Sequence, residues 1–111
     1  MIEVNEEIID QMVKAIVEEV SPEQVILFGS RTRSDSRDDS DVDLLVIERE
    51  PFDKGRSRRK EIGKLGRTLA RFHVQIDILL YSMDEVDYWR DSLNNVVARA
   101  LREGKVLYER S

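Results

Sequence analysis

Between residues 5 and 20 the apolar positions Ile8, Ile9, Met12, Val13, Ile16, Val17 and Val20 recur at steps of one, three and four. That spacing lays a single apolar stripe along a helix. Asn5 is placed to cap it, and Glu6 and Glu7 suit its first turn. The SPEQ that follows breaks the pattern, and residues 25–28 form a short, wholly apolar run closed by Gly29. Such a run fits a buried strand better than so short a helix. Residues 34–40 read as a polar loop and residues 42–47 as a second buried strand, closed off by Pro51.

From about residue 53 to 72 the positions Ile62, Leu65, Leu69 and Phe72 keep helical spacing, although Gly55, Gly63 and Gly66 weaken the first half. VQIDILLY then predicts a third strand with Val74, Ile76, Ile78 and Leu80 on one face. Ser82 and Glu85 form a capping box for a last helix, whose stripe is Val86, Trp89, Leu93, Val96, Val97, Ala100 and Leu101. Trp89 is expected in the core, His73 as a packing residue, and Tyr88 on the opposite face as a candidate protein contact. Gly104 is placed to end this helix, and KVLYE to add a short edge strand. The order predicts an α/β (α+β) fold, with helices packed on a small mixed β-sheet.

Composition narrows the chemistry. At 111 residues the expectation is one domain over residues 1–111, with little room for a separate substrate-recognition unit. With no cysteine and one histidine, any bound cation must be held mainly by oxygen. No apolar run approaches the roughly 20 residues of a membrane span, and the N-terminus lacks a signal-peptide layout, so the expected location is cytoplasmic. A net charge of −5 argues against general nucleic-acid binding. The positive charge gathers in KGRSRRKEIGKLGRTLAR, which reads first as a solvated helix face, next as a docking surface for an acidic partner and third as a nucleic-acid contact.

The anomaly is LFGSRTRSDSRDDSDVDLLVI, in which Asp41 and Asp43 open an apolar strand. Aspartate is depleted in strands, and residues two apart share a face. Two carboxylates that close repel unless a cation lies between them. Leu45 and Ile47 continue the same face as apolar residues, so the charge is confined to one end. Asp77 repeats the anomaly in the third strand. If the two strands are neighbours, three carboxylates converge, a donor set suited to Mg²⁺ and to two-ion phosphoryl or nucleotidyl transfer. Gly29 and Ser30 after the first strand offer close backbone approach and hydrogen-bond donors for a phosphate. Arg31, Arg33 and Arg37 either steer a triphosphate or balance Asp35, Asp38 and Asp39, with Arg31 the best placed for phosphate.

The stretch GSRTRSDSRDDSDVD resembles the Gly-Ser, ten-residue gap, Asp-x-Asp signature of the DNA polymerase beta nucleotidyltransferase superfamily. It is similar in particular to the minimal, MNT-type branch, and the likeness runs over nearly the whole chain. The resemblance implies that Asp41, Asp43 and Asp77 hold two Mg²⁺ ions, with Asp77 helping to activate the nucleophile. It implies that Gly29 and Ser30 hold nucleotide phosphates. Ser34 departs from the pattern, since relatives often carry glycine there. The implied activity is transfer of AMP from ATP to a hydroxyl of a HEPN-domain toxin, with this chain as the antitoxin. Two alternatives stay open: a non-catalytic antitoxin that masks its partner, and a transferase for a small molecule or an RNA end. Homo- or hetero-oligomeric state stays open as well.

Overall fold

A computed structural model describes residues 5–29 and 41–110. Its elements are α1 (Glu6–Val20), β1 (Gln24–Phe28), β2 (Val42–Glu48), α2 (Arg58–Leu69) with a 3-10 turn at Ala70–Phe72, β3 (Ile76–Ser82), α3 (Met83–Trp89), α4 (Val96–Glu103) and β4 (Lys105–Glu109). The strands form one mixed sheet in the order β3-β2-β1-β4. β1 runs antiparallel to both β2 and β4, while β2 and β3 are parallel. A parallel pair needs a long crossover, which α2 supplies.

The two faces of the sheet carry different cores. On one, Val25, Leu27, Leu44, Val46 and Leu80 pack against Met12 and Ile16 of α1 and Leu65 and Leu69 of α2. On the other, Ile26, Leu45 and Ile47 pack against Val86 of α3 and Val97 and Ala100 of α4. β2 is therefore covered on both sides, which is why it reads as an almost continuous apolar run. The helix starts follow local chemistry. Asn5 accepts from the Ile8 amide at 3.0 Å, Ser57 from Lys60 at 3.2 Å, and Ser82 with Glu85 completes the expected capping box.

Three expectations are corrected. α2 begins at Arg58, because Ser57 caps it and residues 53–56 close a turn through paired Asp53–Arg56 backbone hydrogen bonds. The last helix is two helices. α3 ends at Trp89, and Asn95 caps α4 by accepting from the Val97 amide at 2.8 Å. Trp89 is consequently only partly covered, and Leu93, in the connection, is 82% exposed. His73 is exposed and left-handed (φ 54), terminating the 3-10 turn instead of packing.

At the end of β2 away from Asp43 lies a buried carboxyl that the sequence reading passed over. Glu48 is 3% exposed; one carboxylate oxygen takes Arg56, and the other, Oε2, has no partner among the described residues. Arg56 also reaches Glu61 of α2 at 3.3 Å and stacks on the Phe52 ring. Burial pushes the Glu48 carboxyl up from 4.5 to about 7, helped by the neighbouring Glu61 carboxylate and opposed by Arg56. Below pH 4.5 the group is protonated whether the chain is folded or not. Between there and about 7 only the folded chain keeps the proton, so stability falls as pH rises. The slope in that window reaches at most about 1.4 kcal/mol per pH unit. Thermal unfolding between pH 5 and 8 is expected to show this decline and Glu48→Gln to flatten it; equal slopes in both proteins would refute the assignment.

Candidate active site

β1 and β2 meet antiparallel with Phe28 opposite Asp43, and β2 and β3 meet in parallel with Asp43 opposite Asp77. Phe28, Asp43 and Asp77 thus form one rank across three adjacent strands, and adjacent strands lie about 4.8 Å apart. The next rank on the same face is Ile26, Leu45 and Leu79, roofed by α3 and α4. Both carboxylates stand at the lip of that apolar core, where the sheet emerges from its helical cover.

Asp43 is half-buried, and Asp41 and Asp77 are exposed. Burial raises the Asp43 carboxyl above its usual 3.8, reinforced by the charges of Asp77 and Asp41 and by a hydrogen bond to Asp77. Without a counter-ion, the fold thus disfavours the ionised form that metal binding needs. Asp41 precedes β2 and acts on Asp43 from outside the strand pair. Among the described residues no three histidine, cysteine, aspartate or glutamate side chains are grouped as a ready-made cation cage. The donors are a close carboxylate pair, a third carboxylate at the rim and no nitrogen or sulfur. Such a set fits a hard divalent cation that takes its remaining ligands from water and phosphate.

Gly29 adjoins the pair. Its φ is +79°, and a Cβ placed on it would overlap Oδ2 of Asp43, with Cγ at 3.1 Å. Both the backbone sign and the close approach of the carboxylate therefore require glycine. The remaining sequence candidates, Ser30 and Arg31, lie outside the described residues, as do Arg33 and Arg37. The structure brings together Asp43, Asp77 and Gly29, with Asp41 at the margin.

The comparisons with known proteins bear on this arrangement. The family model described as "Polymerase beta, Nucleotidyltransferase" matches residues 10–111. The chain belongs to this nucleotidyltransferase family. No curated protein matches its sequence. Among solved structures, a candidate nucleotidyltransferase from Sulfolobus solfataricus is 20% identical with a TM-score of 0.59, over 94% of this chain and 79% of that one. A mutant of the toxin-antitoxin MntA-HpeT is similar at 20% identity and TM-score 0.53, over 97% of this chain and 75% of that one. A toxin-antitoxin structure with AMP-PNP matches at 20% identity and TM-score 0.53, over 92% and 74%. At this identity the structural likeness establishes the polymerase beta-like nucleotidyltransferase fold. The expected mixed sheet and family are both borne out.

In this nucleotidyltransferase the two carboxylates come from a parallel pair held in register by seven paired positions, Val42 with Ile76 through Glu48 with Ser82. Their separation is set by backbone hydrogen bonding instead of by loop conformation, which is how a site is kept rigid.

Proposed function

We propose that the protein transfers AMP from ATP to a hydroxyl of a partner protein, a HEPN-domain toxin, and acts as its antitoxin. The observation that carries the reading is the in-register Asp43–Asp77 pair beside Gly29. Family membership supports nucleotidyl transfer, and the AMP-PNP and toxin-antitoxin neighbours support the nucleotide and the kind of partner.

Asp41, Asp43 and Asp77 would hold Mg²⁺, which supplies neutralisation of charge building on the phosphate oxygens. Gly29, with Ser30 and Arg31, receives the triphosphate. The acceptor oxygen forms a bond to the α-phosphorus as the bond from that phosphorus to the oxygen bridging to the β-phosphate breaks. Pyrophosphate leaves with that electron pair. Asp77, the most exposed of the in-strand carboxylates, takes the hydroxyl proton directly or through water. The apolar rank of Ile26, Leu45 and Leu79 keeps water from the inner side of the pair and so strengthens each charge interaction at the lip.

The test is label transfer from α-³²P-ATP with Mg²⁺ to the protein encoded beside this chain, comparing wild type with an Asp41→Asn, Asp43→Asn double variant. Label on the partner that disappears in the variant is the expected result. Silencing of the partner by both proteins with no label on it would replace the proposal with the masking antitoxin. Turnover on RNA or a small molecule with no protein present would replace it with the third reading.

A further inference from the structure

The two edges of the sheet are treated differently. The β4 edge carries Lys105 and Glu109, and its pairing with β1 shifts register between Val25 and Ile26. Charges and register irregularities of this kind blunt an edge against further strand pairing. The β3 edge, IDILLYS, has neither proline nor lysine nor arginine, and its one charge is Asp77. It pairs with β2 on one side, and among the described residues no strand lies on the other.

Beneath this edge is a groove of about 200 Å³ between α2 and β3, lined by Gly66, Leu69, Ala70, Val74, Ile76 and Ile78, with Gln75 as its one polar side chain. Gly66 lies inside α2, where glycine costs about 1 kcal/mol relative to alanine. A Cβ there would meet no atom of this chain within 4 Å. The intramolecular packing gives no reason for glycine, and the position borders the groove, where a larger side chain has room to enter it. Arg67 and Arg71, four residues apart, are exposed next to the Leu69–Ala70 wall, with the Arg71 guanidinium over the Phe72 ring, and the run from Arg58 to Arg71 holds six lysines and arginines against the single acid Glu61, which is itself engaged by Arg56 and Lys64.

We propose that the β3 edge and this groove take an extended, acidic segment of the acceptor protein, added to the sheet as a fifth strand. The inference rests on the protein-acceptor reading above and names how that acceptor is held. Main-chain pairing supplies affinity in this mode, and alternate side chains supply specificity. Ile76 and Ile78 face the groove, while Asp77 between them faces the opposite side. An added strand shares this alternation. A side chain seated in the groove is therefore one residue away from the side chain that stands beside Asp77. The recognised segment has a hydroxyl residue with an apolar residue immediately next to it, flanked by acids that meet Arg67 and Arg71.

The probe is a fluorescein-labelled peptide Asp-Glu-Val-Tyr-Val-Glu-Asp, followed by anisotropy with the full chain and Mg²⁺, alongside label transfer to the intact partner protein. Gly66→Leu fills the groove, lies outside the active site and improves helix propensity, so its thermal unfolding is expected at or above the wild-type temperature. It should bind the peptide at least about tenfold more weakly. Lysine in place of the peptide's acids should weaken binding to wild type, and an Arg67→Glu, Arg71→Glu variant should reverse that preference. Backbone N-methylation at alternate peptide positions should abolish binding. No binding to wild type, or equal binding by a folded Gly66→Leu variant, overturns the proposal. So does a wild-type dimer dispersed by Gly66→Leu, since the edge would then belong to a second copy. The two readings fail separately. Wild-type labelling of the partner by Gly66→Leu sinks the edge and leaves the transfer, whereas edge-dependent binding of peptide and partner with no label sinks the transfer.

Discussion

Asp43→Asn is expected to remove nucleotidyl transfer while making the ligand-free protein harder to unfold. The two effects have one source. The Asp43 carboxylate is half-buried, faces Asp77 in register and feels Asp41, all of which oppose its ionisation. At neutral pH that opposition is destabilising, and an asparagine of nearly the same shape relieves it while still able to donate a hydrogen bond to Asp77. Transfer should fall by about 10²- to 10³-fold, the scale seen when one preorganised electrostatic contact is removed from a site. Magnesium with nucleotide should raise the wild-type melting temperature by mass action and leave that of the variant unchanged. Calorimetry with and without Mg²⁺-ATP, together with the label assay, reads all three quantities. A variant that is less stable than wild type, or one that transfers normally, would mean the carboxylate is structural.

Gly29→Ala is expected to disturb the same group from the backbone side. Alanine at φ +79° is strained, and its methyl would overlap the Asp43 carboxylate. A loss of about 1–3 kcal/mol of stability is expected from the backbone conformation. The carboxylate must also turn away from Gly29, which disrupts its pairing with Asp77, so transfer should fall with stability. Adding Asp43→Gly to Gly29→Ala separates the causes. The overlap is relieved and part of the stability returns, while activity does not. Denaturant titration measures the first, and stability losses that simply add would show that the two residues do not touch.

Much of this arrangement could be read from residue types. Residues 25–28 were apolar without interruption, and residues 42–47 were apolar apart from Asp43, because the sheet is covered on both faces; Asp43 and Asp77 stood out because nothing else in those strands is charged until Glu48. Family resemblance covered what strand order alone left conditional, namely that β2 and β3 are neighbours. Other features were obscured for physical reasons. The apolar stripe after Ser82 keeps helical phase across residues 90–95, so periodicity could not reveal the break. The cue was the turn-forming cluster DSLNN, with Asn95 as a second cap. The start of α2 was masked by Ile62 and Leu65, which keep their spacing whatever precedes them, and Ser57 was the cap to look for. Glu48 escaped notice because a carboxylate at a strand end is ordinary; in three dimensions Arg56 and Glu61 of α2 return to it. Ser30 and Arg31 lie outside the described residues, and their phosphate role is part of the proposal.

The two in-strand carboxylates are 34 residues apart in sequence and meet only when β3 docks parallel to β2. β1 and β2 form the more local antiparallel pair, and such a pair can assemble before the crossover through α2 closes. A chain caught at that stage holds Asp43 without Asp77, as a lone acidic group on an unfinished sheet. Any order of assembly in which β1 and β2 pair first leaves the acidic rank incomplete until the crossover through α2 is in place.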